Sequence, residues 1–285
     1  MSVSGRQPPV SVIIPCRNDA TTLSRVLAAL TQQTYPRDKT QIIVVDNGSR
    51  DGSVAVARAA GFEPLIEPRR SAYLARNRGI AAANGEYLLF LDADTVPTPE
   101  WIQELVKAAQ DANFWLAGGR IENKVIRSTL GSALLALTRP AEHRQQMVTE
   151  TGHLSGGNML VARTAFETYG LFLPGQSGGD SEFAVRANPD KCPVPFAARA
   201  VVVHLCNITT WSYLKRAFLT AKGQAQLGGI HPPFPWRPGV RRVGDIHRQL
   251  PGSMSASWLS LWLILWVERW FFYAGYLAGR GSDMK

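Results

Sequence analysis

Apolar residues along the first third of the chain fall in short solid blocks, and the stretches between them carry a helical period. Val10-Ser-Val-Ile-Ile-Pro15 and Gln41-Ile-Ile-Val-Val-Asp46 are β-branched runs, and Tyr87 to Leu91 is continuously apolar with aromatic content. Such runs suit strands covered on both faces, as in the sheet of an α/β fold. Leu23, Val26, Leu27 and Leu30 recur at i, i+3, i+4 and i+7, which predicts a helix from about Ala20 to Gln33 with Asp19 as its N-cap. Further helices are expected over Val54 to Ala60 and Ser71 to Ala83, with a short strand over Phe62 to Ile66 between them. This alternation with short loops predicts a mostly parallel central sheet with right-handed crossovers.

The buried runs end on acids. Asp46 closes one strand, and Asp92 and Asp94 close another at i, i+2 spacing, so all three are expected along one sheet edge. Open α/β sheets bind ligands at the carboxyl ends of their strands. Hard oxygen donors there suit Mg²⁺ or Mn²⁺, an ion that would also hold phosphate oxygens. The same acids could instead cap the next helix, expected from Pro99 to Gln110. No G-x-G-x-x-G follows Pro15 and no G-x-x-x-x-G-K-[ST] occurs anywhere, which disfavours dehydrogenase and P-loop chemistry.

Composition narrows the partners. The 285 residues carry a formal net charge of +9, which fits nucleotide phosphates, an anionic membrane face or nucleic acid. Basic residues are not interleaved with aromatics on one module, so nucleic acid is disfavoured. Cys16, Cys192 and Cys206 are scattered and odd in number, which argues for a reducing compartment. Met1 to Pro9 has no apolar core, so no signal peptide is expected there.

Five segments, in order, resemble inverting glycosyltransferases of family 2, which have the GT-A fold. They are Val10 to Asp19, Ile43 to Ser53, Ala75 to Asp94, Gly156 to Arg163 and Gly178 to Arg186. The resemblance implies a nucleoside-diphosphate sugar donor, UDP by default, a hydroxyl acceptor, and an Mn²⁺ or Mg²⁺ cofactor. It implies a base and ribose pocket lined by Pro15, Arg17 and Asp46, with Arg76 and Asn77 donating to base or phosphates. Asp92 would reach the ribose or the metal, and Asp94 would ligate the metal. His204, ending the run Val201-Val-Val-His, would approach the metal or the diphosphate. Gly157 and Asn158 would let backbone close on the donor sugar. Asp180 matches the family's catalytic base, although Gly179 stands where a helper glutamate is common; Glu182 is the fallback. Trp211 and Arg216 could approach the diphosphate. The segment Gly119 to Gly152 carries Arg139, His143 and Arg144 beside the apolar patch Leu130 to Leu137. It reads either as an acceptor site for phosphate or lipid character or as a solvated basic face.

The tail differs in kind. A proline-rich stretch, Ile230 to Pro238, precedes Arg241, Arg242, His247 and Arg248, and then Trp258 to Ala278 is rich in Trp and Leu. The expected division is a catalytic domain over 1–229 and a membrane-associating helical tail over 230–285. Glu268 and Arg269 near the middle of the tail make a span costly. Trp at every fourth position favours a helix lying at an anionic membrane surface; a single span or a dimer-packing helix are the alternatives. The expectation is a cytoplasmic enzyme held at the inner face of the membrane. Its acceptor would be a glycan or lipid-linked molecule of envelope assembly, and an oligomer is possible.

Overall fold

The computed structural model describes residues 6–138, 145, 148–150, 152–174, 177–226, 240–250 and 258–280. They form two compact units. The first comprises Met1–Glu122, Ala141–Pro174 and Asp180–Leu205. Its chain order is β1 (Val10–Cys16), α1 (Ala20–Leu30), β2 (Thr40–Asp46), α2 (Ser53–Ala59), β3 (Leu65–Ile66), α3 (Ala72–Ala82), β4 (Tyr87–Phe90) and β5 (Thr95–Pro97). It continues through α4 (Trp101–Asp111), β6 (Leu116–Val125), β7 (Met159–Ala162), α6 (Arg163–Tyr169), α7 (Gly179–Arg186) and β8 (Phe196–Cys206). The strands make one sheet in the order β3-β2-β1-β4-β7-β6-β8-β5. Its β3-β2-β1-β4 half is parallel, and β7 runs antiparallel between β4 and β6.

Alternation along β1 explains its unbroken apolar sequence. Val12 and Ile14 point to one face, where they meet Leu23, Leu27, Trp101 and Leu105; Ile13 points to the other, with Phe90, Phe166, Phe172 and Phe183. Both faces are therefore core, as the parallel half of a helix-covered sheet requires.

Two local expectations change. The Asp19 side chain makes no cap bond to α1. Asp51 Oδ2 instead accepts from Ala20 N at 3.1 Å, while the Asp19 carbonyl takes Thr22 N and Leu23 N. The helix after the acids starts at Trp101 with Glu100, not Asp92 or Asp94, at its N-cap, because Thr95–Pro97 intervene as β5, which pairs antiparallel with β8. Pro97 is tolerated because β5 is an edge strand.

The second unit comprises Asn123–Pro140, Gly175–Gly179 and Cys206–Lys285. It holds α5 (Leu130–Thr138), α8 (Thr210–Gln226), α9 (Val240–Gln249) and α10 (Trp258–Arg280). Gly275 and Gly279 let α10 lie against α8: a Cβ at either would come within 2.1 Å of Phe218 O or 2.5 Å of Lys222 O. Thus α8, expected in the catalytic domain, packs with the tail. Leu134, Leu135, Tyr213, Ile246, Leu261 and Leu265 form this unit's core. No helix among the described residues is long and apolar enough to cross a membrane. Arg139, His143, Arg144 and the stretch 230–238 lie outside the described residues, as do the side chains of Arg241, Arg242 and Trp258.

Candidate active site

The turn between β4 and β5 sets the acids. Thr95 N and Oγ1 both donate to Asp92 O, at 3.1 and 2.8 Å, and reverse the chain after Leu91. The β5–β8 register then places Thr95 opposite His204, with Leu205 N donating to Asp94 O at 2.8 Å. As a result His204 Nε2 lies 3.3 Å from Asp94 Oδ2, with His204 nearly buried. Asp94 and His204 are close enough that both would be offered to one divalent ion. Among the described residues no three His, Cys, Asp or Glu side chains gather around a metal position. One carboxylate oxygen and one imidazole nitrogen are donors that Mn²⁺ or Mg²⁺ would accept beside phosphate oxygens.

Asp92, expected as a third ligand, is drawn elsewhere. Arg76 Nη2 donates to Asp92 Oδ1 at 2.6 Å, and Arg76 is only 4% exposed. The pairing holds the Arg76 charge against Asp92, and the buried Nε has no hydrogen-bond partner among the described residues. The Arg76 guanidinium also lies over the Tyr73 ring, 5.3 Å from its centroid. Tyr73 in turn donates from its hydroxyl to Asp180 Oδ1 at 3.0 Å. Burial first, and then the Asp180 charge, push the Tyr73 phenol well above its ordinary range, so it stays a donor. Asp180 also accepts Gly156 N on Oδ2 at 2.7 Å and Ser181 N on Oδ1 at 3.0 Å.

Gly156 and Gly157 let these side chains come close to the backbone. A Cβ on Gly156 would stand 2.6 Å from Arg76 Nη2, and one on Gly157 would stand 2.8 Å from Asp92 Oδ2. Asp180 and Asp92 thus meet adjacent residues of one backbone segment. That places the base candidate and the acidic turn in one small site.

At the other end of this edge, Cys16 pairs in register with Asp46, so Pro15 and Asp46 come together beside the exposed Arg17. Asp46 is 5% exposed, and its carboxylate accepts Gly48 N and Ser49 N at 3.1 and 3.2 Å. The bond from Gly48 depends on a φ of +77°, which favours glycine. Asn47 anchors the same loop by donating to the carbonyls of Glu67 and Arg69.

Three expected roles give way to structural ones. Asn77 donates to Phe172 O and accepts Phe172 N, so both ends of its amide hold backbone. Asn158 is 1% exposed; it donates to Arg120 O and Ala200 O and accepts Trp101 Nε1 at 2.8 Å. Glu182, the fallback base, is paired with Arg186 at 2.6 Å. Trp211 and Arg216 belong to the second unit.

Two residues of the site were missed in the sequence. Tyr73 reaches Asp180 across 107 positions, and no local pattern announces it. Asp19 sits within electrostatic reach of the acids: burial, then Asp94, Asp92 and Asp51, push its carboxyl up to about 6, against a smaller opposing bond from Arg17 N. A third carboxylate next to two others concentrates negative charge where a cation would bind.

Known proteins place the chain. The family model described as glycosyl transferase family 2 matches residues 11–170. Glycosyltransferase AglE of Haloferax volcanii is 32% identical over 229 residues, covering 77% of this chain and 74% of that protein. Among solved structures, mannosyltransferase PcManGT from Pyrobaculum calidifontis, in complex with GDP-Man and Mn²⁺, superposes with a TM-score of 0.65 at 21% identity. That match covers 99% of this chain and 89% of the other. Glucosyl-3-phosphoglycerate synthase from Mycobacterium tuberculosis, in complex with Mn²⁺, UDP-glucose and phosphoglyceric acid, gives 0.56 at 20% identity, covering 81% and 84%. The structural likeness speaks for the fold, and the sequence matches speak for the family. The chain belongs to glycosyl transferase family 2 and is a glycosyltransferase of the GT-A fold.

Proposed function

We propose that the chain transfers a sugar, with inversion, from a nucleoside diphosphate donor to a hydroxyl acceptor. Asp180 is the base, and a divalent ion is held by Asp94 and His204. The observation that carries this reading is the placement of Asp180 and Asp92 on adjacent residues of the Gly156-Gly157 backbone. An inverting displacement needs a base for the acceptor hydroxyl opposite the departing diphosphate. Asp180 Oδ2 accepts one backbone N–H, which leaves a lone pair for an acceptor proton. When bound, the ion would neutralise charge on the leaving diphosphate. Asp46, Pro15 and Arg17 hold the base and ribose. UDP is the default nucleotide; PcManGT and the glucosyl-3-phosphoglycerate synthase, solved with GDP-Man and UDP-glucose, each also contain Mn²⁺, which supports the choice of cation.

The acceptor is a hydroxyl of a glycan or lipid-linked molecule in envelope assembly, met at the inner face of the cytoplasmic membrane. The net charge of +9 supports a phosphate-bearing acceptor and an anionic surface. The test is transfer by Asp180→Asn. The rate constant kcat should fall on the order of 10²- to 10⁴-fold with donor affinity preserved. Unchanged kcat would remove Asp180 from the reaction.

A further inference from the structure

We infer that the outward face of α10, together with the exposed start of α8, is a docking surface for an anionic lipid bilayer, with the helix lying along the surface. The packed side of α10 is defined by Leu261, Leu265, Gly275, Tyr276 and Gly279, all buried. At 100° per residue, Glu268 falls among these residues and Arg269 falls on one flank. The opposite face is Leu263, Trp266, Val267, Trp270, Tyr273, Ala274 and Leu277, and it carries no charged residue. The two charges that make a span costly therefore lie off the face that would meet lipid.

Leu263, Trp270 and Leu277, seven residues apart, are 49%, 41% and 50% exposed. The ring of Trp266 meets that of Trp270 at 5.9 Å, and Trp270 meets Tyr273 at 6.5 Å, giving a continuous aromatic stripe. Phe271, on the other flank, meets Trp211 of α8 at 5.6 Å, and Trp211 is 63% exposed. One turn beyond Trp211 stand Lys215 and Arg216, both exposed. Indole and phenol rings favour the headgroup level of a bilayer, and Lys and Arg beside them draw anionic headgroups.

Charge decides the occupant. In a two-fold pair of chains each patch would face its own copy, which sets Lys215 and Arg216 near like charges on a chain already at +9. An anionic bilayer meets the same residues with opposite charge. This inference does not rest on the transferase reading, since the docking face lies wholly in the second unit.

The experiment is sedimentation of the purified full chain with two kinds of vesicle: phosphatidylcholine alone, and equal parts phosphatidylcholine and phosphatidylglycerol. Wild type should bind the mixed vesicles and bind them less as salt rises. The triple variant Leu263→Ser, Trp270→Ser, Leu277→Ser should bind them more weakly by on the order of tenfold or more. Because the three side chains face outward, thermal unfolding and nucleotide-dependent stabilisation of the variant should match wild type. Absence of vesicle binding by wild type overturns the inference. So does equal binding to both vesicle types, or a vesicle-free dimer that the triple variant abolishes, which would make a second copy the occupant.

Discussion

The Tyr73 hydroxyl donates to Asp180 Oδ1 at 3.0 Å, joining the first turn of α3 to the start of α7. On the proposed reading Tyr73 acts through Asp180, by holding the carboxylate that would take the acceptor proton. Tyr73→Phe should lower kcat roughly tenfold while the donor KM stays within about twofold, because orientation of the base is lost and the nucleotide pocket is not. In an Asp180→Asn background the same substitution should cost nothing further in kcat. Additive losses in the double variant would show that Tyr73 acts elsewhere.

Asn158 should behave as a framework residue. Asn158→Ala leaves Trp101 Nε1 without its acceptor, and Arg120 O and Ala200 O without their donor. Each buried polar group stranded this way costs about 1–3 kcal/mol. Urea unfolding should therefore show a loss of at least about 3 kcal/mol. A variant that unfolds like wild type yet binds nucleotide poorly would restore Asn158 to the ligand site.

Asp19 gives the first unit a pH dependence whose sign can be worked out. Its carboxyl titrates near 3.8 when unconstrained, and burial and the neighbouring acids push it up to about 6 in the folded chain. Between those values the folded state holds the extra proton, so this group's contribution to stability falls as pH rises from about 4 to about 6 and is level above. Asp19→Asn should remove that slope and raise the melting temperature at neutral pH by roughly a few degrees. A lower melting temperature for the variant at pH 7 would mean that charged Asp19 is held by a favourable partner.

How much of this was legible in the sequence follows from where the information lies. The parallel half of the sheet was readable because β1, β2 and β4 bury both faces and so spell out solid apolar runs. Asp46 and the Asp92–Asp94 pair were readable because they end those runs. The Asp94–His204 pair was expected from family resemblance alone, since it depends on the reversal at Thr95 and the register of two strands far apart in sequence. The glycine-rich stretch at Asn158 misled for a physical reason. Small residues there suggest room for a ligand; in the structure they also admit Arg76 and Asp92 close to the backbone, while Gly119 makes space for the Asn158 amide itself. Asn77 misled in the same way, as a polar residue in a helix whose amide clasps the backbone at Phe172. In the tail, Glu268 and Arg269 were read only as charges near the middle of the segment, and which residues of α10 are buried is what sets Glu268 on the packed side.

The most direct test of the central claim is thermal unfolding with UDP, GDP, CDP or TDP, each with and without Mn²⁺, on wild type and Asp94→Asn. One nucleotide should stabilise wild type only when Mn²⁺ is present, by about 3 kcal/mol at a hundredfold excess over Kd. The Asp94→Asn variant should fold as wild type does and lose that stabilisation. Equal stabilisation of both proteins, or none of folded wild type by any of the four nucleotides, would contradict the assignment of Asp94 and His204 to a metal that holds the donor diphosphate.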